Sequence, residues 1–288
     1  MLREYKACNQ NRYLSTHHER DKDTGYDNRG ARLYDSEIGR FLGVDALAGM
    51  YAPFSPYNYV LGNPISNTDP DGRSVDTDIV DKDGVLIARV DDSTPDHVAV
   101  VDGSASKIQQ KLANGDVTTE QLISGAKIKT TATNIRAAAQ VLYRTENNGG
   151  DYEEASLVEG GVISTGERGA QESATVPGRS GVNGVSIHSH GLNATEDPGG
   201  GVRSYSALKP SLTGQKPAGE ADQDAFPNFL QNIIVGRLGN ASKTSSGISQ
   251  PKLGAAFYGR GEVKPQGTLT KSAMQQILKN RIKLEAGF

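Results

Sequence analysis

An α+β fold is the prediction for this chain, and three observations carry it. Apolar residues recur at helical spacing twice, at Ile135, Ala138, Ala139 and Leu142 and again at Met274, Ile277 and Leu278. Three other stretches, "GVSIHSH", "LQNIIVGRLG" and "GAAFYGR", are short apolar runs of strand type. The two kinds of pattern follow one another without the strict alternation of a doubly wound sheet.

Composition narrows the class. With 35% hydrophobic residues, 34 glycines and no tryptophan among 288 residues, the core is expected to occupy only part of a loop-rich chain. The single cysteine, Cys8, excludes a disulfide framework and a cysteine-rich zinc site. A net charge of -3 gives no electrostatic footprint for nucleic acid. No apolar run approaches the length of a membrane span. The opening "MLREYKACNQ" lacks the apolar stretch of a signal peptide, so export is expected to rely on something outside this chain.

Residues 1–73 hold most of the tyrosines and read as short strands between turns. "RGARLYD" alternates, "DSEIGRF" reverses the chain, and Asp69-Pro70-Asp71-Gly72 is a dense turn signal. Residues 74–124 read as a small β-rich spacer: "IVDKDGVLIARVDD" as a hairpin turning at Asp83-Gly84, then "DHVAVVDG" as a third strand bearing a lone surface histidine, His97. Residues 125–288 read as the main domain. A helix runs through "TATNIRAAAQVLYRTENNGG", capped by Thr133 or Asn134 and ended at Asn148-Gly149. Strands follow in "ASLVEGGVISTG", "GVSIHSH", "LQNIIVGRLG" and "GAAFYGR", and "TLTKSAMQQILKN" closes the domain as a helix.

The stretch "ERDKDTGYDNRGARLYDSEIGRFLGVDALAGMYAPFSPYNYVLGNPISNTDPDG" resembles the end of the RHS repeat-associated core, over roughly residues 10–72. That resemblance implies the last strands of a β-shell followed by a C-terminal toxin domain. The chain is too short to build the shell itself, and so looks like a truncated or orphan RHS terminus carrying its cargo. Self-cleaving relatives use aspartates of paired Asp-Pro motifs. Here Asp69-Pro70 matches while Asp45-Ala46 lacks the proline, so self-cleavage is not expected and Asp69 reads as a turn anchor.

Two of the five histidines stand one residue apart in "SIHSHG". Alternation in a strand puts His188 and His190 on one face, roughly 7 Å apart at their Cα atoms, with Ser189 opposite. Two imidazoles so placed either converge on one cation or stand as ordinary solvated strand residues. A catalytic zinc site needs a third protein ligand and an open water position. The third would be a carboxylate from elsewhere in the chain, with a further acid to hold the water.

The order of "LVEGGVIS", "SIHSHG" and "GEADQDAFPNF" resembles the JAB/JAMM metallopeptidase pattern, and more narrowly the JAB-like toxin domains attached to RHS cores, over approximately residues 130–260. The resemblance implies a JAB/JAMM-like (cytidine-deaminase-like) α/β sandwich behind a short β-rich RHS remnant. It implies Zn2+ held by His188, His190 and Asp222, and a water activated by Glu159. Glu153 and Glu154 are rivals for the glutamate, and Asp224 and Asp197 for the aspartate. Asp222 stands 32 residues beyond His190, more than the family spacing, so residues 191–216 would loop out at little entropic cost. Where the family has a serine three residues before the aspartate, this chain has Gly219, which implies weaker oxyanion stabilisation or a changed substrate.

Together the two resemblances imply a zinc-dependent peptidase or isopeptidase toxin, secreted or delivered into a target cell and used in competition between bacteria. A cognate immunity protein, a target-cell protein substrate and an RHS shell or secretion machinery are the implied partners. A metal-dependent nuclease toxin and a catalytically inert RHS-associated relic are the alternatives. The mild acidity, and the lack of a nearby asparagine-histidine pair, weigh against the nuclease.

Overall fold

The computed structural model describes residues 13–15, 18–29, 32–44, 55–59, 77–90, 97–169, 176, 183–210 and 222–285. Cys8, Asp45-Ala46, Asp69-Pro70 and Gly219 lie outside the described residues. The chain is mixed α+β and forms two compact units. The smaller comprises Met1–Val75, Asp91–Pro95 and Arg281–Phe288, and the larger Asp76–Val90 and Asp96–Asn280.

In the smaller unit five short strands form a meander: β1 (Tyr13–Ser15), β2 (His18–Arg20), β3 (Asp27–Asn28), β4 (Leu33–Asp35) and β5 (Arg40–Phe41), each antiparallel to the next. Strands of two or three residues bury little, and aromatic stacking makes up part of the deficit. Tyr34, Phe41 and Tyr59 pack with ring centroids 4.6 to 5.7 Å apart. The buried Arg29 guanidinium lies 4.3 Å from the Tyr34 and Tyr59 rings and donates to the Tyr59 hydroxyl at 2.8 Å.

The larger unit begins with β6 (Thr77–Asp81), β7 (Leu86–Val90), β8 (His97–Val101), α1 (Ala105–Asn114), α2 (Thr119–Ser124) and β9 (Ile128–Thr131). The strands form one sheet in the order β7-β6-β8-β9, with β8 parallel to β6. The β6–β7 hairpin turns at Asp83-Gly84. Asp81 Oδ1 accepts the Asp83 and Val85 N–H groups there, while its Oδ2 accepts the first N–H of α1 at 2.9 Å. One face of this sheet buries Ile79, Ile87, Ala99 and Val101 against Ala105 and Ile108 of α1. The other face contributes Val80, Val98, Val100 and Ile128 to the main core. Residues 77–90 and 97–124, which fall in the stretch expected as a spacer, belong to the larger unit, and their strands supply one of its layers. A sheet apolar on both faces cannot stand as a linker, because its second face must be covered.

The main core is built on α3 (Ala132–Asn147) and a six-stranded sheet. After α3 come β10 (Ala155–Glu159), β11 (Val162–Thr165), β12 (Val185–Ser189), β13 (Thr195–Glu196), β14 (Val202–Arg203), α4 (Asp222–Ala225) and a 3-10 turn at Phe226–Asn228. Then follow β15 (Gln231–Arg237), β16 (Ser242–Thr244), β17 (Gly247–Ser249), β18 (Leu253–Gly259), β19 (Gly267–Thr270) and α5 (Lys271–Glu285). The sheet order is β11-β10-β12-β15-β18-β19, with only β12 and β15 parallel. The cap of α3 is Thr131, whose hydroxyl accepts the Asn134 N–H, rather than Thr133 or Asn134. Thr131 ends β9 in an extended conformation, as an N-cap requires, while the other two already lie inside the helix.

The two faces of the large sheet differ. Val158, Val185, Ile187, Ile233, Val235, Ala255 and Phe257 point toward Ile135, Ala138 and Leu142 of α3 and Met274 and Ile277 of α5. The opposite face carries Ile234, Ala256 and Tyr258, covered by Ala207 and Phe226. His188 pairs with Ile234 across the parallel ladder, so its side chain joins that second face. Among the described residues no helix is long and apolar enough to cross a membrane.

Candidate metal centre

His188 is the fourth residue of β12, and His190 follows the strand's last residue, held in line by its N–H to Val235 O at 2.9 Å. Both side chains lie on the face away from α3, and both are buried. Their ring centroids are 5.4 Å apart. Asp222 opens α4 and is buried between them. Its Oδ1 lies 3.2 Å from His188 Nε2, and its Oδ2 lies 3.1 Å from His190 Nε2.

Residues on the same face of the sheet deliver Asp222 to this place. Asn232 of β15 is fully buried; its Nδ2 donates to Phe226 O at 3.1 Å, and its Oδ1 accepts the Ser186 hydroxyl at 2.5 Å. Phe226 stacks on Tyr258 with ring centroids 5.2 Å apart. The turn after α4 is thereby pinned to β12, β15 and β18 together. Burial and the Asp222 charge raise the Tyr258 hydroxyl above its ordinary range, so it stays neutral, and it donates a hydrogen bond to Ala207 O.

The electrostatics favour a cation here. Burial alone would raise the Asp222 carboxyl, but the two imidazoles hold it well below its ordinary value of 3.8. Burial likewise opposes the charged form of His190. The hydrogen bond and charge of Asp222 outweigh it, with help from the Glu153 charge and the Ser206 carbonyl, and the pKa stands above 6.5.

A carbonyl oxygen only accepts, so His190 Nδ1, 3.0 Å from Ser206 O, carries the proton of that bond. In the neutral ring the Nε2 lone pair then faces Asp222, the tautomer that binds a metal through Nε2. His188 Nε2 is buried without a hydrogen bond: its approach to Asp222 is close enough but off line. A proton or a metal ion between His190 Nε2 and the carboxylate satisfies both groups. Ligands on a tetrahedral zinc stand about 3.3 Å from one another at ordinary Zn–N and Zn–O lengths. The two His–Asp separations come close to that, and the ligand atoms all lie within 4.8 Å of one another. This buried group could hold a metal ion.

The other candidates fall elsewhere. Asp224 is exposed on α4. Asp197 sits on the β13–β14 hairpin, where it pairs with Arg203 at 3.6 Å. His97 is an exposed residue at the start of β8. Glu159 is exposed at the far end of β10. The residue facing His188 is Ala155, four positions and about 13 Å of strand away from Glu159. The structure does not bring Glu159 to the histidines.

Glu153 and Glu154 lie at the right end. The β10–β12 ladder pairs Ala155 with His188 and continues with Ser189 N–H to Glu154 O at 2.9 Å, so Glu153 faces His190. Alternation gives Glu153 the face of the histidines and Glu154 the face of α3. The observed contacts agree with that division. Glu154 accepts from Arg144 at 3.2 Å and Asn148 at 2.9 Å, both on the α3 side, whereas the buried Glu153 charge acts on His190. Part of the segment expected to loop out also returns to the site: after the β13–β14 hairpin it brings Ser206 against His190.

A 58-residue stretch, 20% of this chain, is 48% identical to salivary gland surface protein 1 of Aedes aegypti. It spans 2% of that protein's length. No family model matches the chain, and no solved structure matches it.

Proposed function

We propose that the larger unit is a zinc-dependent peptidase or isopeptidase with a JAB/JAMM-like sandwich, working as the C-terminal toxin of an RHS-type polymorphic toxin. The observation that carries this reading is the buried His188–His190–Asp222 group, with the His188 Nε2 orphaned and a carboxylate between two imidazoles. Two imidazoles and one carboxylate are the donor set of many catalytic zinc sites, and three protein ligands leave a fourth position open. Zinc, when bound, would supply a Lewis acid for the scissile carbonyl and a water acidified toward neutrality.

The chain's own residues divide the remaining work. Glu153, buried on the face of the histidines, takes the proton of the attacking water and passes it to the leaving amine. This role passes to Glu153 from Glu159, which stands too far along β10. Glu154 is committed to Arg144 and keeps β10 in place. The Ser206 carbonyl fixes the ring of His190, and the Asn232 amide holds the turn that carries Asp222. In this reading the toxin is delivered into a target cell, cleaves a protein there and is neutralised in the producer by a cognate immunity protein; an RHS shell or secretion machinery provides the route.

The test is to incubate the zinc-loaded full chain with a proteome-derived peptide library and read cleavage by mass spectrometry. Cleavage abolished by Glu153→Gln and by His188→Ala supports the reading. Stoichiometric zinc without cleavage favours the inert relic, and cleavage indifferent to Glu153→Gln removes the assigned base.

A further inference from the structure

The chain around Ser206 does more than cover the site. Ser206, Ala207 and Leu208 form a strap whose polar groups are spoken for on both sides. The Ala207 N–H donates to Arg237 O on β15 at 2.8 Å, and the Leu208 N–H donates to Ser206 Oγ at 3.1 Å. The Ala207 carbonyl accepts the Tyr258 hydroxyl from β18 at 2.5 Å. Ala207 and Tyr258 are completely buried. With these groups tied down, the Ser206 carbonyl is turned toward His190 Nδ1.

We infer that Tyr258 is a positioning residue for the metal ligand His190, acting through the Ala207 carbonyl. Its hydroxyl fixes the strap, the strap fixes the Ser206 carbonyl, and that carbonyl holds the proton on Nδ1 so that the Nε2 lone pair faces Asp222. Outer partners of a ligating histidine set its tautomer and orientation, and losing one costs about 10–100-fold in metal affinity. Tyr258 is 51 residues from Ala207 in sequence and on a strand that contributes no ligand, so nothing local in the chain marks it. This inference rests on the metal site proposed above and not on peptidase activity.

The variant that isolates the hydroxyl is Tyr258→Phe, which keeps the ring against Phe226. Ser206→Ala removes a different tie of the same strap and gives a second test. Zinc affinity of the full chain is measured by chelator competition, together with melting temperature with and without zinc. Both variants should lose about tenfold in zinc affinity, and their zinc-induced rise in melting temperature should shrink. A role confined to packing would lower stability equally with and without zinc and leave the affinity alone. Unchanged affinity in Tyr258→Phe, with wild type binding zinc, overturns the positioning role alone. If wild type binds no zinc, the metal site and this inference fall together.

Discussion

His190 Nε2 and Asp222 Oδ2 lie 3.1 Å apart although 32 residues separate them in sequence. The chain leaves β12, forms the β13–β14 hairpin, passes Ser206 beneath the imidazole and comes back with a carboxylate. That meeting completes the buried group that could hold a metal ion.

Zinc content should divide the aspartates. His188→Ala, His190→Ala and Asp222→Ala should each lose zinc by more than the about 10–100-fold that an outer-shell change costs. Asp224→Asn and Asp197→Asn should retain one equivalent. Elemental analysis of the purified variants decides this, and retention of zinc by Asp222→Ala would remove Asp222 from the ligand set.

Glu153 and Glu159 are separable by rate. Glu153→Gln should bind zinc normally and lose about 10²–10⁴-fold in turnover, the usual contribution of a positioned acid–base group. Glu159→Gln should behave as wild type. Turnover of a cleaved library peptide by the two variants makes the comparison.

The stability of the metal-free protein and the increment that zinc adds should respond to pH in opposite senses. His190 has a raised pKa, so its contribution is full below 6.5 and is lost as pH rises through the folded value. Asp222 has a lowered pKa, so its contribution is present above 3.8 and is lost only as pH falls through the folded value. The metal-free protein should therefore lose stability from mildly acidic to alkaline pH. The increment from zinc should grow over the same range, because the ligands must shed protons. Melting temperatures at about pH 5.5 and about pH 8.5, with and without zinc, test the two slopes.

Asn232→Ala should cost stability and metal together. It strands the buried Ser186 hydroxyl and Phe226 carbonyl, a loss of about 1–3 kcal/mol for an unsatisfied buried group. It also frees the turn behind Asp222. Chemical denaturation and zinc titration on the same preparation should both show a loss; zinc affinity equal to wild type would leave Asn232 a purely structural role.

Much of this was legible in the sequence where the signal is local. The period of Ile135, Ala138 and Leu142 gives α3, and strand alternation is enough to put His188 and His190 on one face. The non-local parts were not. Glu153 and Glu159 share the parity that faces the histidines, and only the pairing of Ala155 with His188 shows which of them is near. The sequence 74–124 shows apolar strands but not that their second face is buried by Ile135 and its neighbours. Ser206 acts through its carbonyl, which every residue has, so no side-chain pattern could have announced it.

Glu154 points away from the histidines, yet it helps to fix which face Glu153 occupies. Its backbone exchanges hydrogen bonds with Ser189, and its carboxylate is gripped by Arg144 and Asn148 of the α3 region. Were β10 to slip by one residue against β12, every side chain would change faces and the Glu153 carboxylate would turn into the helix layer. The Arg144–Glu154 pair is thus a register lock, and its failure has a parity signature. One residue inserted between Gly150 and Glu153 should shift only the loop, whereas one inserted between Glu154 and Ala155 should break the phase between the lock and the strand it sets.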